Sequence, residues 1–308
     1  MDYAELIDDE TWAFIARTNS YYPPDAVTRS IEDQRRVYDV MCRAFFQGYP
    51  EGITATDIKA DGVPCRLYSA GDPSVTVMYF HGGGFVVGGL ASHDDVCAEI
   101  CQQTGYRVLS VDYRLSPEHR HPAAFDDAWA ATKWAAEHFP EPLVLAGDSA
   151  GGNLAAAVAH HARGKLTSIV GQVLIYPGLG FDPQSASAIE HAEAPMLTRD
   201  ELLFYRTIRT GGEEPPEDDP TFAPLNDTDF SNLPPTVIFT ADCDPIRDDG
   251  HRYRDKLAEA DVPVEWINEE GLVHGYLRAR HSATRAHESF ERISLAIEAL
   301  GQGLWPYS

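Results

Sequence analysis

The segment GDSAG at residues 147–151 sets one serine among small residues, between an apolar run and an alanine-rich stretch. The spacing G-x-S-x-G is typical of a tight turn from a strand into a helix, where strained backbone angles hold the serine hydroxyl away from the sheet. A hydroxyl exposed in this way can attack a substrate. We therefore predict that Ser149 is a nucleophile; the alternative is an ordinary glycine-rich turn.

A second motif, HGGGF at residues 81–85, follows the apolar run VTVMYF. Three successive glycines with free N–H groups can bend into a concave array of donors, which stabilises the oxyanion that develops during acyl transfer. A flexible loop is the plainer interpretation, but the position at the end of a predicted strand favours the donor array. His81 itself is interpreted as a structural residue that orients the loop.

A serine nucleophile needs a base, and the base needs an orienting acid, in the chain order Ser, acid, His. The strand predicted at 235–242 ends among four acids that are candidates: Asp242, Asp244, Asp248 and Asp249. Asp244 falls in the turn just past the strand, where its carboxylate can face the site, although it could instead cap a helix before Pro245. Asp248 and Asp249 fall in the predicted helix and should face elsewhere or brace the loop.

Three histidines follow these acids and the last predicted strand: His274, His281 and His287. His274 lies in the segment GLVHGY, a predicted loop between the strand and the final helix, so it can reach back to the serine. His281 and His287 are predicted on the final helix, over 275–300, where a histidine is more often solvated than catalytic. His274 is therefore the preferred base.

These side chains need a scaffold, and the pattern from about residue 53 alternates strands with helical segments. Such an alternation predicts a mostly parallel, three-layer α/β sheet with eight strands, the first two forming an edge hairpin. Two parts of the chain lie outside this alternation of strands and helices, at 1–50 and about 181–220, and could pack together as a lid over one end of the sheet. The predicted division is a core at 51–180 and 221–308 with a helical cap from 1–50 and 181–220.

The charge of the chain excludes some partners. Its 48 acidic residues outnumber 24 basic ones, which gives a formal net charge of −24. A field of this sign repels nucleic acid and anionic membranes. It also leads to the hypothesis that added salt raises stability by screening self-repulsion.

The cellular location of the protein and the state of its cysteines are predicted from sequence patterns that are absent. No window approaches about 18 consecutive apolar residues, so no membrane span is expected. The acidic N-terminus lacks the pattern of a signal peptide, so a cytoplasmic location is expected. The five cysteines have no paired spacing with histidines and are interpreted as buried thiols rather than metal ligands: Cys42, Cys65, Cys97, Cys101 and Cys243.

The motifs HGGGF, GDSAGG, DPIRDDG and HGY occur in this order, with VDYRLSPEHRHPAAFDD between the first two. Together they resemble the hormone-sensitive-lipase-like branch of the α/β-hydrolase esterases over about residues 50–300. The resemblance implies an α/β-hydrolase fold, no cofactor or metal, a cap that includes the insertion after the sixth strand, and dimerisation through the edge of the last strand. It also implies a triad and an oxyanion hole: Ser149, Asp244 and His274, with Gly83, Gly84 and Ala150.

The resemblance implies hydrolysis of a small-molecule ester with a short-to-medium acyl chain, through an acyl-enzyme intermediate. An amidase or peptidase with the same triad is the main alternative. A non-catalytic small-molecule receptor of the same fold is a second alternative, which the presence of His274 disfavours. The chain departs from the usual pattern at Ser116, Arg120 and His121, and in the acidic segment EEPPEDDP of the predicted cap.

Overall fold

A computed structural model describes residues 1–23, 25 and 28–307. Its centre is one sheet of eight strands in the order β1-β2-β4-β3-β5-β6-β7-β8. β1 and β2 form an antiparallel hairpin, β2 pairs antiparallel with β4, and every other pairing is parallel. The strands span Thr54–Ala60 (β1), Val63–Ser69 (β2), Thr76–Phe80 (β3), Arg107–Val111 (β4), Leu143–Asp148 (β5), Ile169–Ile175 (β6), Thr236–Cys243 (β7) and Val264–Val273 (β8).

Helices connect the parallel strands and cover both faces of the sheet, as parallel strands require. The predicted fold, a mostly parallel eight-stranded α/β sheet flanked by helices, is confirmed. The α-helices in the described part of the chain span Tyr3–Leu6 (α1), Asp9–Asn19 (α2), Ile31–Phe45 (α3), Asp94–Thr104 (α4), Ala123–His138 (α5), Ala150–Ala162 (α6), Ala186–Glu190 (α7), Arg199–Thr210 (α8), Arg247–Glu259 (α9) and Thr284–Gly301 (α10).

The alternation of side chains along each strand divides the core into two clusters. On β3, Val77 and Tyr79 pack on one face with α4 and α10, whereas Met78 and Phe80 pack on the other with α5, α6 and α9. Each of these strand side chains is fully buried. The sheet is therefore apolar on both sides, and its ends are where polar chemistry can be exposed.

The N-terminal helices and the segment between β6 and β7 lie outside the alternating core. Ser30 caps α3 by accepting from Asp33 N–H, and Thr198 caps α8 in a capping box with Glu201. The Tyr3 hydroxyl contacts His191 Nδ1 at 3.2 Å, which joins the two outlying parts. Among the described residues, no helix is both long and apolar enough to cross a bilayer.

The prediction of one continuous final helix over 275–300 is wrong. A short 3₁₀ turn, Tyr276–Ala279, precedes α10, and His281 lies in the turn between them. Arg280 Nη1 donates to the Leu277 carbonyl at 3.0 Å, an acceptor that a continuous helix would use for its own ladder. The same guanidinium pairs with buried Glu99 at 2.7 Å, so a tertiary ion pair interrupts the helix.

Candidate active site

Ser149 occupies the turn between β5 and α6 with φ 53° and ψ −115°, a strained conformation for a residue with a side chain. The turn is closed by two glycines. A Cβ on Gly151 would lie 1.8 Å from the Phe80 carbonyl oxygen, and one on Gly147 would lie 2.4 Å from the Gly151 carbonyl oxygen. Only glycine fits at these two positions, because the helix crosses the strand ends at backbone contact.

His274 and Asp244 meet this serine from two other strand ends. His274, directly after β8, has Nε2 2.8 Å from Ser149 Oγ and Nδ1 2.7 Å from Asp244 Oδ2. Asp244, directly after β7, is fully buried, and its Oδ1 accepts the Ile246 N–H at 3.0 Å. The backbone hydrogen bond and the imidazole thus each take one carboxylate oxygen, which fixes the ring between carboxylate and hydroxyl.

The other sequence candidates lie apart from the serine. Asp242 accepts from Asn268, Asp248 from the Ser187 N–H, and Asp249 from the N–H groups of Leu179 and Gly180. Asp249 therefore braces a loop, and burial raises its pKa to about 7 against those two hydrogen bonds. His281 contacts Glu99, and exposed His287 on α10 faces Glu291.

The glycine loop after β3 presents unused backbone donors. Gly83 has φ 128° and Gly84 has φ 60°, and a Cβ on Gly83 would lie 2.2 Å from the Val87 carbonyl oxygen. Within the described ranges, the N–H groups of Gly83 and Gly84 donate to no protein acceptor. Ala150 opens α6, where the N–H has no partner inside the helix. All three residues line the same cavity as Ser149.

His81, at the start of the glycine loop, is fully buried and packs beneath it against Tyr113. Its ring stacks on Tyr113 with centroids 4.2 Å apart, and the Tyr113 hydroxyl donates to the His81 carbonyl at 2.6 Å. Burial lowers the pKa of His81 to about 4, so the imidazole is neutral at pH 7. These contacts fit the interpretation of His81 as an orienting residue.

Sequence reasoning missed a buried network around Asp148. Its Oδ1 accepts from the Tyr79 hydroxyl at 2.8 Å and the Gly82 N–H at 3.0 Å, and its Oδ2 lies 3.2 Å from His93 Nε2. Burial alone would raise the pKa of Asp148, but the His93 ring and the hydrogen bonds hold it well below its usual range. The carboxylate thus links the serine turn to the glycine loop. Its place beside Ser149 was the only signal in the sequence.

A cavity of about 440 Å³ opens over the serine. Its walls come from the core and from both outlying parts: Tyr22 and Met41 near the N-terminus, and Leu197, Tyr205 and Arg209 from the segment before β7. The strand ends supply the reacting side chains, while the outlying helices shape the space above them. The sequence did not single out any of these wall residues.

The cysteines in the structure are buried and free, and no group of three His, Cys, Asp or Glu side chains among the described residues is arranged to hold a metal ion. His121 and Arg120, two residues at which the sequence departs from the usual family pattern, contact the segment before β7. The His121 N–H donates to the Arg209 carbonyl at 3.2 Å, and its Nε2 lies 3.2 Å from Asp219 in the acidic segment. Arg120 pairs with Glu213 at 3.5 Å.

Comparison with known proteins adds the family. Residues 77–278 match a family model described as alpha/beta hydrolase fold. Esterase LipI of Mycobacterium tuberculosis is 41% identical, over 74% of this chain and 73% of its own. Ethyl acetate hydrolase of Pseudomonas putida is 34% identical, over 79% of each chain. The solved structure of the Pyrobaculum calidifontis esterase has a TM-score of 0.85 at 28% identity, over 96% of this chain and 99% of that one.

The parallel sheet, the serine at the turn after β5 and the family match together define the class of protein, an α/β hydrolase. Within this class, the chain belongs to the hormone-sensitive-lipase-like family of carboxylesterases, and the resemblance that the ordered motifs carry is confirmed.

Proposed function

We propose that this protein is a serine carboxylesterase that hydrolyses esters of short-to-medium acyl chains, with Ser149, His274 and Asp244 as its triad. One observation carries the proposal. The serine, imidazole and carboxylate form a row with contacts of 2.8 and 2.7 Å, beside backbone N–H groups that have no acceptor among the described residues. A nucleophile, a base and donors for an oxyanion are the parts that acyl transfer requires.

In the first half of the reaction, His274 Nε2 takes the proton from Ser149 Oγ as the oxygen attacks the ester carbonyl carbon. The N–H groups of Gly83, Gly84 and Ala150 bind the oxyanion that forms. His274 then gives the proton to the departing alcohol oxygen, which leaves the acyl group on Ser149. Asp244 holds the tautomer and stabilises the imidazolium.

In the second half, a water molecule takes the place of the alcohol. His274 removes a proton from the water, whose oxygen attacks the acyl carbon, and the same N–H groups bind the second oxyanion. Collapse of this intermediate releases the acid and returns the proton to Ser149 Oγ. No step requires a metal or an organic cofactor.

Preference for short-to-medium acyl chains is supported by the bounded cavity of about 440 Å³ and by the acidic, proline-rich segment that forms part of its cover. The similarity to an ethyl acetate hydrolase points in the same direction. Rates across a series of p-nitrophenyl esters from acetate to palmitate test the preference. Matched ester and anilide substrates separate the esterase from the amidase alternative.

We propose that residues 1–50 and 181–220 form the cap, and that 51–180 and 221–308 form the catalytic core.

We also propose that two copies of the chain associate through β8, which pairs with β7 on one side only. Sedimentation of the purified protein tests this association, and a monomer at micromolar concentration would contradict it.

The decisive experiment measures hydrolysis of p-nitrophenyl acetate by the wild type and by Ser149→Ala. We expect the variant to lose about 10³-fold or more in kcat, because the acyl-enzyme can no longer form. Ser231→Ala is the matched control and should retain full activity, because Ser231 is exposed and does not line the cavity over Ser149. Unchanged hydrolysis by Ser149→Ala would end the proposal.

A further inference from the structure

Arg209 is a buried cation in the wall of the cavity. It lies in the last turn of α8, and its side chain is stacked between two aromatic rings, with the guanidinium carbon 3.7 Å from the centre of Phe85 and 4.1 Å from that of Phe222. The residue is only 7% exposed. Phe85 directly follows the glycine loop, so the cation is held next to the candidate oxyanion donors.

The guanidinium has few protein partners. Nη1 donates to the Phe222 carbonyl at 3.2 Å, and Nη2 donates to Asn153 Oδ1 at 3.4 Å, a long contact. A guanidinium has five N–H donors. Within residues 1–23, 25 and 28–307, Arg209 forms no ion pair with an aspartate or glutamate, so much of its donor capacity is unused and no carboxylate contacts its charge directly.

Arg280 shows how this chain otherwise buries a cation. It is 2% exposed, and its guanidinium pairs with Asp95 at 2.8 Å and Glu99 at 2.7 Å. A buried charge without such a partner is costly. The cost at Arg209 is visible in its pKa, which burial lowers to about 9 while only Tyr113 and Asp219 act in the opposite direction.

The carboxylates that line the cavity are engaged elsewhere. Glu201 caps α8 by accepting from Thr198, and Glu217 pairs with Arg206. Asp148 binds Tyr79 and the Gly82 N–H and lies against His93. A third cation of the wall, Arg278, donates to the Tyr38 hydroxyl, and its charge lies near that of Asp148. Among the described residues, Arg209 is the one of these three arginines that has no nearby carboxylate lining the cavity.

Arg209 is also close to the reacting serine. Its partner Asn153 lies one helical turn beyond Ser149 on α6, and the Asn153 N–H donates to the Ser149 carbonyl at 3.1 Å. One turn corresponds to about 5.4 Å along the helix axis. A substrate whose carbonyl is at Ser149 can therefore bring a second polar group, a few bonds away, to the guanidinium.

Resting on the proposed esterase function, we propose that Arg209 is a specificity-determining residue that binds a second, free carboxylate carried by the ester substrate, on its acyl part or on its alcohol part. A planar fork of donors suits a carboxylate, and charge-assisted hydrogen bonds are stronger than neutral ones. The bound anion would supply the counter-charge that the protein omits.

The first experiment uses the wild type and three p-nitrophenyl esters with six-carbon acyl chains: hexanoate, the adipate monoester and 6-aminohexanoate. They differ only in the terminal group of the acyl chain, which is a methyl, a carboxylate or an aminomethyl group, and hence in charge. We expect kcat/KM for the anionic ester to exceed that for the cationic ester by about 100-fold or more. The net charge of −24 favours the encounter with the cationic ester, so this order would report the local guanidinium.

A second substrate pair asks on which side of the ester the carboxylate lies. 4-Acetoxybenzoate carries it on the leaving group, and 4-acetoxybenzamide is its neutral counterpart. A preference for the anion in the adipate set assigns Arg209 to the acyl side, and one in the benzoate pair assigns it to the alcohol side. No preference for the anion in either set overturns the proposal.

The third experiment replaces the residue. Arg209→Met keeps an apolar stem between the two rings, and we expect it to lower kcat/KM for the preferred anionic ester about 10- to 100-fold while the neutral ester changes less than about threefold. Arg199→Gln is the matched control, because it removes a guanidinium from the first turn of the same helix, at a position that does not line the cavity. Its ratio of anionic to neutral rates should equal that of the wild type.

The outcomes separate this inference from the esterase proposal. If the wild type hydrolyses the hexanoate ester and Ser149→Ala does not, the esterase proposal stands, and the charge preference alone decides the role of Arg209. Equal losses on neutral and anionic esters in Arg209→Met would mean that the residue only supports the cap, and would overturn the inference. If that variant fails to fold, the wild-type comparison of anionic and cationic esters still decides.

Discussion

Two histidines occupy nearly the same hydrogen-bonding arrangement in different parts of the molecule. His274 lies 2.7 Å from Asp244 through Nδ1 and 2.8 Å from Ser149 through Nε2. His160, on α6, lies 2.6 Å from Asp227 through Nδ1 and 2.9 Å from the hydroxyl of Tyr253 through Nε2. Each is a carboxylate–imidazole–hydroxyl row, and the distances do not tell them apart.

The surroundings of the two rows differ. The His274 side chain is 12% exposed and lines the cavity, whereas that of His160 is 1% exposed. Arg163 also pairs with Asp227, at 2.8 Å, so that carboxylate already has a permanent cation. The hydroxyl at His160 belongs to Tyr253 on α9, a fully buried residue that does not line the cavity over the serine.

The comparison teaches that three aligned side chains do not make a catalytic site. The row at His274 has access for a substrate, a hydroxyl held out by a strained turn, and backbone donors without partners. The row at His160 joins α6, α9 and the segment before β7 inside the core. We therefore interpret the first as chemical and the second as structural, and the following predictions test that difference.

The largest effect should come from replacing the two acids in the same way. Asp244→Asn should lower kcat by about 10³- to 10⁴-fold, because the amide stabilises the wrong tautomer of His274 and cannot balance its charge. Asp227→Asn should leave kcat within about threefold. Rates are measured on p-nitrophenyl butyrate with folded protein quantified by circular dichroism. Equal losses in the two variants would remove the distinction.

The second effect is on stability, and here we expect the larger change in Asp227→Asn rather than in Asp244→Asn. Asp227→Asn should lower the free energy of unfolding by about 1–3 kcal/mol, since it weakens the buried hydrogen bond to His160 and removes the nearer of two carboxylates that pair with Arg163. Urea denaturation of both Asn variants measures the change. A larger loss in Asp244→Asn than in Asp227→Asn would contradict the structural role of the second row.

The third effect is the pH dependence of stability. Burial lowers the pKa of His160 to about 4 from an ordinary 6.5, against the hydrogen bond that its Nδ1 donates to Asp227. Between these values the unfolded chain binds more protons than the folded one, so stability falls as the pH drops from about 6.5 towards 4. His160→Gln should reduce this fall by on the order of 1–3 kcal/mol.

Thermal melts of wild type and His160→Gln at pH 7 and pH 5 test this prediction. Asp249, whose burial raises its pKa to about 7, acts in the opposite direction, because the folded chain then binds the extra proton below that pH. It is present in both proteins, so its contribution cancels in the difference. Parallel pH curves for the two proteins would refute the assignment to His160.

The smallest expected effect is that of salt on the melting temperature, which acts on exposed charges and not on buried contacts. Raising salt shortens the Debye length from about 10 Å at 0.1 M to about 3 Å at 1 M, which screens the repulsion of a chain with net charge −24. Melting temperature should rise for the wild type and for Asp227→Asn alike. The gap between them should persist, since the lost contacts are buried. A flat or falling melting temperature would count against the charge hypothesis.

Sequence reasoning succeeded where local pattern carries the information. The sheet followed from apolar runs separated by helical periodicity. Motif order and positions just past strand ends selected Ser149, Asp244 and His274, which the structure brings into contact, while their catalytic roles stay predictions. It failed where a distant partner decides. The final helix was predicted as continuous, but the ion pair of Arg280 with Glu99 interrupts it and leaves His281 in a turn.

The sequence by itself determined the class of fold and the candidate chemistry, because parallel strands bring their carboxyl ends to one edge whatever lies between them. Only the tertiary structure revealed the second row at His160, linked Asp148 to the glycine loop, and left Arg209 without a contacting carboxylate among the described residues of the cavity wall. These features depend on which atoms from remote segments come within about 3 Å of each other. No spacing along the chain encodes such a distance, since burial and pairing arise only when the layers pack.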